Sequence, residues 1–307
     1  MTPALGPSIA WIDPLASAHP GAEAAHGRWG SPASLTLPLD DRGLLLADGL
    51  FETVLLEEGR AWLLPAHLER WQGSSALLGM APPPGRERLE PLILEAVARS
   101  GIRSGALRLN WSRGSLASDP ARSPSPARGI DLPAPGEAPP SHRFWLQLSP
   151  WRPCFEPVCL IVSRTERRNA HTLLSRCKGF AYAQAIQARR EARSAGADDA
   201  LLLSTAGGLC CGTSANLLVL RSGRWFTPPL ASGCLPGVMR AQALAQALAE
   251  ETSLEPEDLA TGEAALLINS LGCRPVVALE GARLAAFAQP EALWRSLLEG
   301  PGSGPLG

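Results

Sequence analysis

Apolar and polar positions change period along the chain, and the changes mark out its elements. Residues 8–12 (Ser-Ile-Ala-Trp-Ile) read as a first strand, and residues 14–34, rich in Pro, Ala, Gly and Ser, as a loop insertion. Two apolar runs around Glu58-Gly59 predict a hairpin over 51–64. Helical spacing covers 66–79 and 86–100, and strand-like alternation covers 106–111 and 142–148. Between those strands, 115–141 is dense in Pro, Ser and Ala and reads as a long loop insertion.

Two prolines interrupt the pattern at 149–156, which puts a domain boundary there. Beyond it the pattern predicts a strand at 158–163, a helix over about 176–195, a strand at 199–204 and a turn at Gly207-Gly208. A second hairpin follows at 216–227, then a helix opening at 235–240 and running to about 250. Strands at 263–269 and 275–279 and a helix at 290–299 complete the series. The expected organisation is a smaller α/β domain over 1–150, a larger domain over 157–300 and a disordered tail over 301–307. Hairpins are frequent and strands do not strictly alternate with helices, so the fold class is mixed α/β (α+β), not a doubly wound parallel sheet.

At 307 residues with 45% hydrophobic content and a formal net charge of -1, the chain can bury an ordinary core. Nothing basic enough points to nucleic acid, and no apolar run approaches the length of a membrane span. Seven cysteines without a Cys-x-x-Cys pair and five scattered histidines predict reduced thiols, a cytoplasmic location and no structural metal.

Composition holds one sharper signal. The chain has 27 arginines and a single lysine, Lys178, in Ser-Arg-Cys-Lys-Gly-Phe-Ala-Tyr. Arginine serves as a surface cation as well as lysine does, but only lysine can be tuned to lose its proton, as covalent amine chemistry requires. The only tyrosine, Tyr182, stands four residues on, one turn away if the segment is helical. A lone lysine can also be a chance survivor, so its neighbours decide.

A lysine-bound pyridoxal phosphate needs an anion cradle and partners for its ring. The turn at Pro236-Gly237-Val238-Met239 opens a helix, where unsatisfied amides and the dipole favour an anion. Asn269-Ser270 ends a predicted strand and could add donors, or be an ordinary polar turn. Arg70 could add a bidentate charge, or be a surface arginine. Tyr182 could donate to the ring oxygen, or be a half-buried helix tyrosine.

Taken together, several segments resemble the class IV aminotransferases, the fold-type-IV pyridoxal-phosphate enzymes. They are Asp41-Arg42-Gly43, Asp48-Gly49-Leu50-Phe51-Glu52-Thr53, His67-Leu68-Glu69-Arg70, Arg108-Leu109 and Ser112-Arg113-Gly114. After them come Lys178, Ala197-Asp198-Asp199-Ala200, Thr213-Ser214-Ala215-Asn216, Thr227-Pro228 and Leu235-Pro236-Gly237-Val238-Met239-Arg240. Their order and spacing follow the family from about residue 37 to 277. The resemblance implies two domains, pyridoxal 5'-phosphate between them, and a homodimer. It implies Lys178 as the Schiff-base lysine, Arg70 as a phosphate ligand, and Val238, Met239, Asn269 and Ser270 as the rest of the cradle. Ile268-Asn269-Ser270-Leu271 with Arg274-Pro275-Val276, and Met239 after Gly237-Val238, resemble the 4-amino-4-deoxychorismate lyase branch. That branch eliminates pyruvate to give 4-aminobenzoate for folate synthesis. A branched-chain or D-amino-acid aminotransferase is the alternative.

One departure stands out. The family places a glutamate, partner of the pyridine nitrogen, five residues before the asparagine matching Asn216, and here that residue is Cys211. A thiol cannot hold the ring nitrogen protonated as a carboxylate does. The chain is then either a cofactor-binding protein with little activity or an enzyme whose reaction needs less of an electron sink. The implied substrate carries carboxylates, so arginines are expected at it. Arg113 and Arg128 flank the long loop and are candidates, with Phe51 lining the same side, whereas His67 reads as local packing or capping.

Overall fold

The computed structural model describes residues 7–13, 27–115, 130–132 and 140–300. The chain forms two compact units, and the division is not a single cut. The first unit holds residues up to Gly59, Trp71–Pro150 and the short piece Gly179–Ala181; the second holds Arg60–Arg70, Trp151–Lys178 and Tyr182 onward.

In the first unit, β1 (Ile9–Ile12) and β2 (Arg28–Gly30) lead to helix α1 (Arg42–Leu46) and strand β3 (Gly49–Glu57). At Glu58 and Gly59 the backbone takes φ of 54° and 83°, the geometry of a two-residue hairpin turn, and the chain passes into β4 (Arg60–Ala61). Helix α2 (Leu64–Leu77) belongs to the second unit through Arg70 and to the first from Trp71. Helix α3 (Arg86–Ser100) and strands β5 (Gly105–Ser115) and β6 (Ser141–Pro150) follow. The strands of this unit lie in the order β2-β1-β6-β5-β3, antiparallel throughout. Alternate residues Leu107, Leu109, Phe144, Leu146 and Leu148 are wholly buried, the one-faced burial that period-2 patterning dictates. Residues 14–26, 116–129, 133–139 and 301–307 lie outside the described residues, and with them most of both expected loop insertions and the whole expected tail. Residues 28–30 of the first expected insertion are a strand.

The second unit is built on a ring of strands. Strands β7 (Val158–Arg168), β8 (Asp199–Ser204), β9 (Leu209–Gly212), β10 (Asn216–Arg221), β13 (Ala264–Asn269) and β14 (Gly272–Leu279) pair in the order β10-β13-β14-β7-β8-β9. Strand β9 also meets β10 at the Cys211–Asn216 pair, which closes the ring. Beyond β10 lie β11 (Arg224–Thr227) and β12 (Ala249–Glu251), and β15 (Ala282–Arg283) hangs on β14. The contacts β14–β7, β7–β8 and β11–β12 are parallel and the others antiparallel. With helices and a mixed sheet together, the architecture is mixed α/β.

Residues from one face of the ring strands form one apolar cluster, among them Val158, Leu160, Leu201, Leu209, Leu217, Val219, Ala265 and Leu267. The opposite face of β7, β8 and β9 (Ile161, Ala200, Leu202, Cys211) packs on helix α4 (Ala183–Ser194) through Ala188 and Ala192. Two alanines at i and i+4 form a low ridge, so the helix lies close to the strands. Helices α5 (Val238–Ala245), α6 (Pro256–Thr261) and α7 (Pro290–Leu298) complete the unit. No helix among the described residues is long and apolar enough to cross a membrane. All seven cysteines are free.

Three expectations about elements need correction. Lys178 is not on a helix: Gly179 forms a strand bridge with Leu50 and Phe180 donates its amide to Gly49 O at 3.0 Å. That extended segment delays the helix to Ala183, past both Lys178 and Tyr182. The helix opening at 238 ends at Ala245, because Ala247 turns left-handed (φ 54°) to enter β12. Strand β9 was not expected at all; Leu-Cys-Cys-Gly is too short to carry a period.

Candidate active site

The expected cofactor residues of the second unit fall into hydrogen-bonded groups: the Lys178–Tyr182 pair, and the turns at 235–239 and 269–272 with their partners. Lys178 and Tyr182 bracket the extended stretch, and Lys178 Nζ donates to Tyr182 Oη at 3.1 Å. Their approach does not come from a helical turn, as the sequence suggested. Arg168 holds the approach to this segment, donating from Nη2 to Ser175 O at 3.3 Å and from Nε to Gly233 O at 3.2 Å.

Downstream of Gly233, the turn Leu235–Gly237 opens α5, whose N-terminus has no side-chain cap. Val238 and Met239 are buried, at 4% and 1% exposure, with first-turn amides that have no partner within the helix. A Cβ on Gly237 would fall on the side-chain oxygen of Asn216, so only glycine lets the turn sit against this strand. Asn216 fixes the turn from the other side by donating Nδ2 to Leu235 O at 3.0 Å.

Helix α2 touches two turns at once. Arg70 Nη1 donates to Pro236 O at 3.1 Å, and His67 Nε2 lies 3.2 Å from Ser270 Oγ. The turn at 269–272 is heavily braced. Asn269 Oδ1 accepts from Leu271 N at 2.8 Å, Asn269 Nδ2 donates to Ser214 O at 3.2 Å, and Asn269 O accepts from Trp294 Nε1 at 2.9 Å. Gly272 closes it at φ 153°, where a Cβ would collide with Cys154 backbone.

Cys211 is paired across the ring with Asn216, on the face packed by α4. It is 7% exposed, and it hydrogen-bonds the adjacent Cys210 thiol, which that bond pushes well above the ordinary thiol range. A carboxylate at the start of β8 ties the adjoining turn. There the buried Asp199 accepts from Thr213 Oγ1 at 2.6 Å and from Arg189 Nη2 at 2.8 Å, and Arg189 Nη2 also reaches Thr213 Oγ1 at 2.7 Å. Asp199 therefore serves to lock the 212–215 turn to α4.

These residues fit a phosphorylated pyridine aldehyde. An amine stands beside a phenol; an uncapped helix N-terminus, a guanidinium and a serine hydroxyl can meet a phosphate.

Of the substrate candidates, Phe51 and Arg113 lie in the first unit. Phe51 is buried beneath Arg108, whose guanidinium carbon stands 3.6 Å from the ring centroid. Arg113 does not have a guanidinium to offer a substrate. Its Nε donates to Asp48 Oδ2 at 2.8 Å, Nη1 to Gly79 O at 3.0 Å and Nη2 to Leu78 O at 2.9 Å, and it is 5% exposed. It braces the fold, which corrects the expectation drawn from its place beside the long loop. Arg128 lies outside the described residues. His67 is 1% exposed on α2, three residues before Arg70, and packs against the 269–272 turn, in keeping with a packing residue.

Replacing Arg70 with alanine should weaken cofactor binding by about 1.5–3 kcal/mol, the range for a hydrogen bond to a charged group. Absorbance titration of the apoprotein with pyridoxal phosphate measures it, and an unchanged affinity removes Arg70 from the cradle.

Comparison with known proteins identifies the family. The profile of the amino-transferase class IV family matches residues 49–279. A Schizosaccharomyces pombe protein proposed to be an aminodeoxychorismate lyase is 29% identical over 239 residues, covering 75% of this chain and 90% of its own. A Methanocaldococcus jannaschii protein proposed to be a branched-chain-amino-acid aminotransferase is 27% identical over 221 residues, covering 70% of each chain. Among solved structures, a proposed 4-amino-4-deoxychorismate lyase of Legionella pneumophila is 25% identical with a TM-score of 0.75, over 87% of this chain and 96% of that one. The chain belongs to the class IV amino-transferase family, and its cofactor is pyridoxal 5'-phosphate.

Proposed function

We propose that this protein is a 4-amino-4-deoxychorismate lyase that releases pyruvate and leaves 4-aminobenzoate, working in the cytoplasm as a homodimer. The observation that carries the reading is the buried thiol of Cys211 where the family has a carboxylate. Pyridoxal phosphate supplies an electron sink for bond breaking at an amine-bearing carbon. A carboxylate at the ring nitrogen deepens that sink, and transamination needs the depth because electrons must stay in the ring. Elimination needs less. Loss of the proton from the amine-bearing ring carbon and of the enolpyruvyl oxygen from its neighbour gives an aromatic product, whose stability drives the step.

Each residue then has a task. Lys178 would hold the cofactor and, once released from it, carry the proton taken from the amine-bearing carbon. Tyr182, at 3.1 Å from Nζ, would orient that amine and face the ring oxygen. Arg70, Ser270, Asn269 and the amides of Val238 and Met239 would hold the phosphate, so the ring is fixed at its far end while Lys178 exchanges partners. The S. pombe relative, matched over 90% of its length, supports the lyase reading. The M. jannaschii relative supports an aminotransferase as the second reading.

Two assays separate them. Cofactor-loaded protein is given aminodeoxychorismate alone, and in parallel 2-oxoglutarate with branched-chain or D-amino-acid donors. Pyruvate release without any oxoacid acceptor is expected. Exchange that depends on the acceptor, without pyruvate release, establishes the second reading. Bound cofactor with neither activity leaves a binding protein disabled at Cys211.

A further inference from the structure

Ser270 has one proton, and the side chain at its back decides where that proton points. Its hydroxyl is 3.2 Å from Nε2 of His67, which is 1% exposed on α2. Two arrangements satisfy this contact. If Nε2 carries a lone pair, Ser270 donates to it and turns its own lone pairs toward the cradle. If Nε2 carries hydrogen, Ser270 accepts from it, and the hydroxyl proton is free to point the other way. A phosphate dianion accepts hydrogen bonds and repels lone pairs, so only the second arrangement makes Ser270 a phosphate ligand.

We infer that His67 is a positioning residue that donates Nε2–H to Ser270 Oγ and thereby aims the Ser270 proton at the cofactor phosphate. The inference rests on the reading of the 236–239 and 269–271 turns as the phosphate cradle. Helix α2 then serves both halves of it. Arg70 holds the first turn through Pro236 O, and His67, three residues earlier, sets the polarity of the second. Each turn also has bonds that do not involve α2. Asn269 closes its own turn with Leu271, and Asn216 holds Leu235. What His67 adds is the direction of a single donor.

The test compares pyridoxal phosphate with pyridoxal, which lacks the phosphate, as ligands of the apoprotein, followed by cofactor absorbance. His67→Leu should weaken pyridoxal phosphate about tenfold or more and leave pyridoxal within about twofold, the loss expected when one donor to a charged group is misdirected. His67→Gln, whose side-chain amide can still donate, should recover much of the preference. In a Ser270→Ala background, His67→Leu should add nothing further, because the two residues act through one hydroxyl. Equal weakening of both ligands by His67→Leu would mean a packing role and overturn the inference. So would an unchanged preference for the phosphorylated ligand. Histidine-labelled NMR of the intact holoprotein gives a check that needs no variant: hydrogen is expected on Nε2 of His67, and a bare Nε2 sinks the idea. A wild-type protein with no preference for pyridoxal phosphate over pyridoxal overturns the cradle reading itself, and this inference with it.

Discussion

Lys178→Ala should leave a folded protein that no longer holds its cofactor covalently. Borohydride reduction of the wild type should fix one cofactor at residue 178, since the chain has no other lysine side chain and only its N-terminal amine competes. The variant should give no adduct at that position by mass spectrometry. Turnover should fall by about 10²–10⁴-fold from the missing proton transfer alone. Lys178→Arg is the sharper control. It keeps the charge beside Tyr182 but cannot lose its proton, so it should be as inactive as alanine. If arginine restores activity, Lys178 is only a cation and the cofactor lies elsewhere.

Cys211→Glu should move the enzyme toward transamination. A carboxylate facing the ring nitrogen stabilises the protonated ring and deepens the sink. The ratio of pyridoxamine phosphate formed to pyruvate released should rise roughly tenfold, the rate equivalent of about 1.4 kcal/mol. The site is tight: Cys211 is 7% exposed, in a cluster with Ile161, Ala188, Ala200 and Leu202. A glutamate there is larger, and its charge is costly to bury until it is paired. The ratio must therefore be read on folded, cofactor-loaded protein, checked by circular dichroism and cofactor absorbance. An unchanged ratio would show that Cys211 does not set the course of the reaction, and that another group serves the ring nitrogen.

Local physics made much of the fold readable. The turns at Gly207-Gly208 and Ser222-Gly223 take positive φ at every position, so glycine marks them in the sequence. The short apolar runs at 158–163, 199–204 and 263–269 mark ring strands buried on both faces, one in the apolar interior and the other under helices or neighbouring segments. Lys178 was identifiable as chemistry, but its conformation was not. The segment that carries Phe180 is straightened by pairing with Gly49 and Leu50, far away in sequence, and no local preference records that. Helix α6 was missed because its cap is Glu255 with Asp258, where the usual signal is a serine or threonine. The arginines were the hardest to assign. Sequence presents 27 equal guanidiniums, and only the coordinates separate Arg113, tied to Asp48 and two carbonyls, from one that can meet a ligand.

The ring of strands has a consequence for how the protein comes into being. Strand β7 must wait for β14, since Val158 pairs with Val276 across more than a hundred residues of chain, while the Cys211–Asn216 contact is local. Pairings so distant in the chain are slow to form, and during synthesis the partner strand emerges late. The β7–β14 seam therefore closes among the last events of folding, whereas Cys211 and Asn216, facing each other across the 212–215 turn, are a local pair. A nascent or partly unravelled chain presents Lys178 without the surroundings that make it useful. Cofactor should then bind only chains whose β7–β14 seam has closed, so binding of pyridoxal phosphate during refolding should lag the recovery of local structure.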